Sequence, residues 1–233
     1  LFDPTRIIYV VDKRQSLYFE QVFRCAKKTK IIGDDVDLIF VGFGTMNGKD
    51  GKPFKTRDGG VLRLEHLLAD VTAQVSDKMA DRDMDDETRA DVAAKVALAA
   101  IKYGDLSNQA SKDYIFDIDR FTSFEGNTGP YILYTIVRIK SIIEKYKEEG
   151  KTVDNLSIID TDNDEQLQLM LEIAKANEVI ENAAKELAPH KICSYIYDLS
   201  NAFNRFYHGT KILSEADEKK KEGYIALINM AKK

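Results

Sequence analysis

Residues 48–60, GKDGKPFKTRDGG, place four glycines, three lysines and one arginine in thirteen positions. Six of the chain's thirteen glycines lie between Gly42 and Gly60. Glycine lets a backbone reach positive φ and pass close to a ligand. Lys49, Lys52, Lys55 and Arg57 supply charge-assisted donors suited to phosphate oxygens. The stretch reads either as a mobile phosphate clamp or as a solvated hairpin tip. Its spacing argues against a P-loop, because Phe54 precedes Lys55-Thr56 where GxxxxGK[ST] requires glycine. A second group with chemical potential lies in a helical pattern from Tyr131 to about Glu148. At about 100° per residue, Ile132, Ile136, Ile139 and Ile143 form one apolar stripe. Tyr131, Tyr134 and Arg138 share a face roughly 120° away. Two tyrosines and an arginine off the core stripe suit an unstacked RNA base; they equally suit a second core face. Asn201, Asn204 and Tyr207 on a later helix are candidates for the same surface.

The elements that must position these groups divide the chain unevenly. RIIYVVD (6–12) and DVDLIFVGF (35–43) read as buried strands, with a helix over SLYFEQVFRCAKK (16–28) between them. Strand–helix–strand is the pattern of a parallel α/β sheet, and two strands do not complete one. The remainder reads as helical: 62–79, 87–106 with a stop at Gly104, 131–148, 164–187, 190–208 and 215–232. Asn127 or Thr128 can cap the 131–148 helix, and Pro130 suits its first turn. GKTVDNLSIIDTDNDE (150–165) is a polar connector, and a domain boundary falls near residue 125.

Composition excludes several classes. The net charge is −5, so any nucleic-acid site must be a local patch and not a whole-chain property. Cys25 and Cys193 lie far apart in apolar helical patterns, which argues for reduced core or semi-core thiols, no zinc site and a cytoplasmic setting. No apolar run approaches membrane-span length. There is no Ser/His/Asp or Cys/His constellation for nucleophilic catalysis, and no metal site is expected.

GKDGKPFKTRDGG followed by VLRLEHLL resembles the signature loop of arginyl-tRNA synthetases, with Phe54-Lys55-Thr56-Arg57 in the place of the class I KMSKS motif. RIIYVVDKRQSLYFEQVF (6–23) resembles the strand–helix segment before that loop. KYGDLSNQASKDYIFDIDRFTSFEGNTGPYILYTIVRI (102–139) resembles the junction between catalytic and anticodon-binding parts, and PHKICSYIYDLSNAFNRFYH (189–208) a late helix of the anticodon domain. The second KMSKS lysine is replaced by Thr56 and the first by Pro53. The HIGH motif is missing, since the three histidines are His66, His190 and His208.

The resemblance implies a mainly α chain: the end of a class I Rossmann-like α/β catalytic domain (1–125), then an all-helical anticodon-binding bundle (126–233). It implies a fragment of an arginine–tRNA ligase, inactive alone, whose parent forms arginyl-adenylate from arginine and ATP and transfers the arginyl group to tRNA(Arg). Lys52, Lys55 and Arg57 would stabilise phosphate charge, with Gly51, Phe54 and Thr56 completing the ATP-binding loop. Gln15, after the first strand, would shape the arginine pocket, or else cap a helix. Tyr131, Tyr134, Arg138, Asn204 and Tyr207 would contact tRNA. ATP, with Mg2+, is a substrate and not a tightly held cofactor; a cytoplasmic monomer is expected. The alternative is a non-catalytic helical RNA-binding or interaction protein on a synthetase-like scaffold.

Overall fold

The computed structural model describes residues 4–53, 63–80, 83–161 and 163–233. They form two compact units, one from the described residues within 1–64 and 108–117, the other from those within 65–107 and 118–233.

In the first unit, β1 (Arg6–Asp12) and β2 (Asp37–Phe43) pair in parallel from Arg6↔Asp37 to Asp12↔Phe43. Their β-branched and aromatic content suits such a ladder. Helix α1 (Ser16–Lys28) makes the crossover. It lays Phe19 and Phe23 on Tyr9, with ring centroids 5.2 and 5.1 Å apart, and Phe19 also meets Phe40. The Lys27 amino group closes the return by donating to the carbonyls of Gly33, Asp34 and Val36. Two short strands have no periodic signal in the sequence: β3 (Met46–Asn47) and β4 (Tyr114–Ile115), also parallel. They return residues 108–117 to the start of the glycine-rich loop, where Phe116 is buried.

The second unit is helical. It contains α2 (Leu64–Lys78), of which all but Leu64 belongs here, α3 (Asp86–Leu106), the single turn α4 (Ile118–Phe121), α5 (Gly129–Glu148), α6 (Asp164–Ala174), α7 (Ala176–Glu186), α8 (Pro189–Gly209) and α9 (Glu218–Lys232). Helix α3 does not stop at Gly104. It runs to Leu106, because Gly104 is a packing position: a Cβ there would stand 3.0 Å from the Phe121 ring. The pattern over 164–187 is two helices, where the ladder tightens at Lys175, whose N–H bonds the Glu172 carbonyl. The last helix begins at Glu218 and not at 215, because the Asp217 carboxylate caps it through the N–H groups of Lys219 and Lys220.

Thr128 caps α5, accepting from Tyr131 N–H, with Pro130 in the first turn. The buried stripe of α5 runs through Thr135, Ile139, Ile142, Ile143 and Tyr146. Ile132 and Ile136 are only half-buried, so the core face is rotated from the isoleucine stripe toward Tyr131. Leu169, Phe203, Phe206, Ile225, Leu227 and Ile228 meet this face in one core.

The two cysteines part company. Cys25 is exposed, against its apolar-pattern placement, because α1 has no fully buried position. Cys193 is buried, and burial pushes its thiol up to about 11. Iodoacetamide at pH 8 should therefore label Cys25 in the native protein and Cys193 only after denaturation. Equal native labelling would contradict this arrangement.

Candidate functional site

Only the first half of the glycine-rich loop lies within the described residues; Phe54, Lys55, Thr56 and Arg57 lie outside them. Gly48 and Lys52 close a tight turn, the Gly48 N–H donating to the Lys52 carbonyl at 2.8 Å, and Asn47 bridges to Pro53. Gly51 sits at φ +73°, a conformation for which glycine is the undemanding residue. Asp50 accepts from the Lys52 N–H at 3.0 Å, and the Lys52 side chain is exposed. Lys49 is committed to Asp117 at 3.0 Å, a mostly solvent-exposed pair of small energetic weight. This half of the loop is therefore a built hairpin turn.

Gln15 ends a 3-10 turn, Lys13–Gln15, beyond the C-terminal end of β1. The Asp12 carboxylate takes the Arg14 backbone N–H at 2.8 Å and its guanidinium at 2.6 Å. Those hydrogen bonds hold the Asp12 carboxyl down at about 2. They shape the turn and leave Gln15 exposed, with no side-chain capping bond to α1. Strand C-terminal ends are where open α/β sheets place ligands.

In the helical unit, all five residues expected at the tRNA surface come together where α5 meets α8. The Arg138 guanidinium lies 4.6 Å from the Tyr134 ring centroid and 4.8 Å from that of Tyr207. It donates to the Tyr134 hydroxyl at 3.0 Å and to Asn204 Oδ1 at 2.5 Å. Arginine can only donate, so Asn204 must turn its oxygen toward Arg138. Its nitrogen then donates to the Tyr131 hydroxyl at 2.9 Å and to Thr135 Oγ1 at 3.2 Å. The Tyr131 hydroxyl donates to Asn201 Oδ1 at 2.7 Å, and its ring packs on Tyr197 at 5.7 Å.

The five residues thus divide by exposure. Tyr134 is 49% and Tyr207 36% exposed, so their rings can receive a planar partner. Tyr131 and Asn204 are half-buried with their polar atoms engaged, and they brace the others. Tyr207 is itself stacked on Phe203, 6.0 Å between centroids at 24°.

Beside the tyrosines opens a cleft of about 640 Å³ between α5, the end of α8 and residues 210–214. Ile142, Ile212 and Leu213 give it an apolar floor, while Arg138, Lys145 and Lys211 supply three cations; no aspartate or glutamate is among the described residues lining it. The sequence reading missed Lys145 and Lys211. Lys145 was findable, because it falls about seven residues, or two turns, beyond Arg138 on the same face. Lys211 lies past the end of α8, where no periodicity applies.

Comparison with known proteins assigns both halves of the chain. The family model "tRNA synthetases class I (R), catalytic domain" matches residues 2–118, and "DALR anticodon binding domain" matches residues 132–233. The chain is 60% identical to an arginine–tRNA ligase from Agathobacter rectalis over 99% of its own length and 40% of that protein's. It is 56% identical to one from Alkaliphilus oremlandii, over 98% and 39% respectively. The chain thus spans about 40% of the length of these curated relatives. The arginyl-tRNA synthetase structure from Plasmodium falciparum superposes with a TM-score of 0.77 at 27% identity, over 98% of this chain and 38% of that one. The Thermus thermophilus arginyl-tRNA synthetase has the same fold, with a TM-score of 0.81 at 24% identity over 97% of this chain and 38% of that one. A strand–helix–strand unit followed by a helical bundle, matched along its length in this way, belongs to the class I arginyl-tRNA synthetase family.

Proposed function

We propose that this chain acts within an arginine–tRNA ligase: arginine and ATP give arginyl-adenylate and pyrophosphate, and the arginyl group then passes to the terminal ribose of tRNA(Arg). The functional division lies near residue 125, between the two family matches. Gln15 faces arginine, and Gly51, Lys52, Phe54, Lys55, Thr56 and Arg57 meet the ATP phosphates. Such chemistry depends on positioning and on stabilising developing phosphate charge, which loop closure over ATP provides. Among the described residues no group of three or more His, Cys, Asp or Glu side chains converges. In this reading Mg2+ enters on the ATP phosphates as part of the substrate. No helix of the described residues is long and apolar enough to cross a membrane. Independently of that, we propose a cytoplasmic monomer.

The observation that carries the tRNA part of this reading is the guanidinium of Arg138 held between Tyr134 and Tyr207 at the cleft. Arg138 and the exposed ring faces accept an anticodon base, while Tyr131 and Asn204 hold that surface in shape. Base–aromatic stacking is worth about 1–3 kcal/mol by alanine substitution. Tyr134→Ala in the full natural protein should therefore weaken binding of a tRNA(Arg) transcript several-fold to about a hundredfold, with the melting temperature unchanged. Ile180→Ala, at an exposed position on α7 outside the cleft, is the control. Undiminished binding by the Tyr134 variant would end the base-stacking reading.

A further inference from the structure

The cleft extends well beyond its aromatic end. Tyr134, Arg138, Ser141 and Lys145 fall within about 60° of one another around α5, so they form a line and not a ring. At about 1.5 Å per residue that line is about 16 Å long, more than one base plane needs. Its far end is cationic: Lys145 on α5 faces the cleft with Lys211 from the 210–214 segment, and Ser141, Thr210 and Ser214 add hydroxyl donors.

Several lysines of this unit are committed to carboxylates, Lys147 to Glu144, Lys151 to Glu149 and Glu218, Lys175 to Glu172 and Lys191 to Glu186, while others, such as Lys102 and Lys140, pair with none of the described residues. Neither Lys145 nor Lys211 has an ion-pair partner among the described residues. A chain of net charge −5 has carboxylates to spare, yet the described cleft lining contains none. Concave cationic sites over apolar walls concentrate field on an anionic ligand.

We propose that Lys145 and Lys211 grip the RNA backbone phosphates adjoining the base held at Tyr134, which makes the cleft a two-part site: aromatic for a base, cationic for its flanking phosphates. The proposal rests on the RNA reading of the cleft. Its signature differs from that of stacking. Phosphate contacts release counterions and carry no sequence information, so they set the salt dependence of binding and leave base discrimination alone.

The test uses the full natural protein, a tRNA(Arg) transcript and a second transcript with an altered anticodon, with affinities measured across a salt series. For single-stranded contacts the slope of log K against log salt changes by about 0.7 per phosphate neutralised. The double variant Lys145→Gln with Lys211→Gln should flatten the slope by about 1.4 and weaken both transcripts by the same factor. Lys145→Arg with Lys211→Arg should restore the slope. An unchanged slope in a folded glutamine variant would overturn the proposal. Loss of discrimination between the transcripts at constant slope would also overturn it, by assigning the lysines to base edges. If the glutamine double variant does not fold, the single variants Lys145→Gln and Lys211→Gln, at exposed positions, should each flatten the slope by about 0.7. Tyr134→Ala separates the two readings. If it too leaves binding intact, the RNA reading of the cleft fails; if it weakens binding while the lysine slopes stay fixed, only the phosphate grip fails.

Discussion

Gly129→Ala should destabilise the helical unit by about 3 kcal/mol or more, the upper end of the range for overpacking. A Cβ at Gly129 would lie 2.2 Å from the Ala99 oxygen, 2.5 Å from the Ala99 carbonyl carbon and 3.0 Å from the Ala100 nitrogen. All three are backbone atoms of α3, so no side chain can swing aside. The first turn of α5 would have to lift off α3, loosening the contact that buries Ala93, Ala97 and Ala100. For a chain of this length, 3 kcal/mol corresponds to a fall in melting temperature of about 6–12 °C. Gly126→Ala is the comparison. It sits at φ +79° with nothing within 4 Å of a Cβ, so only backbone strain of about 1 kcal/mol applies. Urea denaturation of both variants measures the difference. A Gly129 variant no less stable than the Gly126 variant would show that α3 and α5 are not in this close contact.

Phe206→Ala should cost about 3–5 kcal/mol, with a comparable loss for Tyr224→Ala. Phe206 on α8 has no exposed surface and meets the ring of Tyr224 on α9 edge-on, with centroids 5.5 Å apart at 72°. Both rings belong to one buried cluster with Ile225, Leu227 and Ile228. The two losses should not add. An edge-to-face pair carries about 0.5–1.5 kcal/mol of coupling beyond area, and the two cavities merge. A double-mutant cycle by denaturant unfolding reads that coupling. Additive losses, or single losses under 1 kcal/mol, would place these rings outside the core.

Tyr224 and Tyr134 show what the sequence disclosed and what it withheld. Both are tyrosines on amphipathic helices. Periodicity located each helix but did not say which tyrosine would meet solvent. Tyr224 is 6% exposed because α9 is enclosed on several sides, so it is a core residue and unsuitable as a surface control for tyrosine replacement. The strand–helix–strand segment was legible to the residue at β1 and α1 from short β-branched apolar runs and a long amphipathic stretch. The strands read as buried are not: no residue of β1 or β2 is fully buried and Val10 is 63% exposed, because two paired strands do not complete a covered sheet. β3 and β4 were not, because two residues each carry no period and their pairing spans 68 positions. At the candidate site the aromatic and cationic members on α5 were visible as one face. The role of Asn204 was not, because its commitment to Arg138, Tyr131 and Thr135 arises from a partner helix 66 to 73 residues away.

Helix α3 lies within the residues matched by the catalytic-domain family, 2–118, yet it packs against α5 and α8 in the unit that contains the anticodon-binding match. Its Tyr103 hydroxyl sits between the Asn127 side chain and the Cys193 carbonyl of α8, 2.8 Å from the latter. The family matches and the compact units therefore have different borders in this protein. A chimera spliced between residues 118 and 131, where the family matches part, would inherit an anticodon module stripped of the helix that seals its flank. Exchange of that module between relatives should succeed only when α3 travels with it, which makes residues 86–106 part of the transferable cassette even though their ancestry lies with the catalytic half.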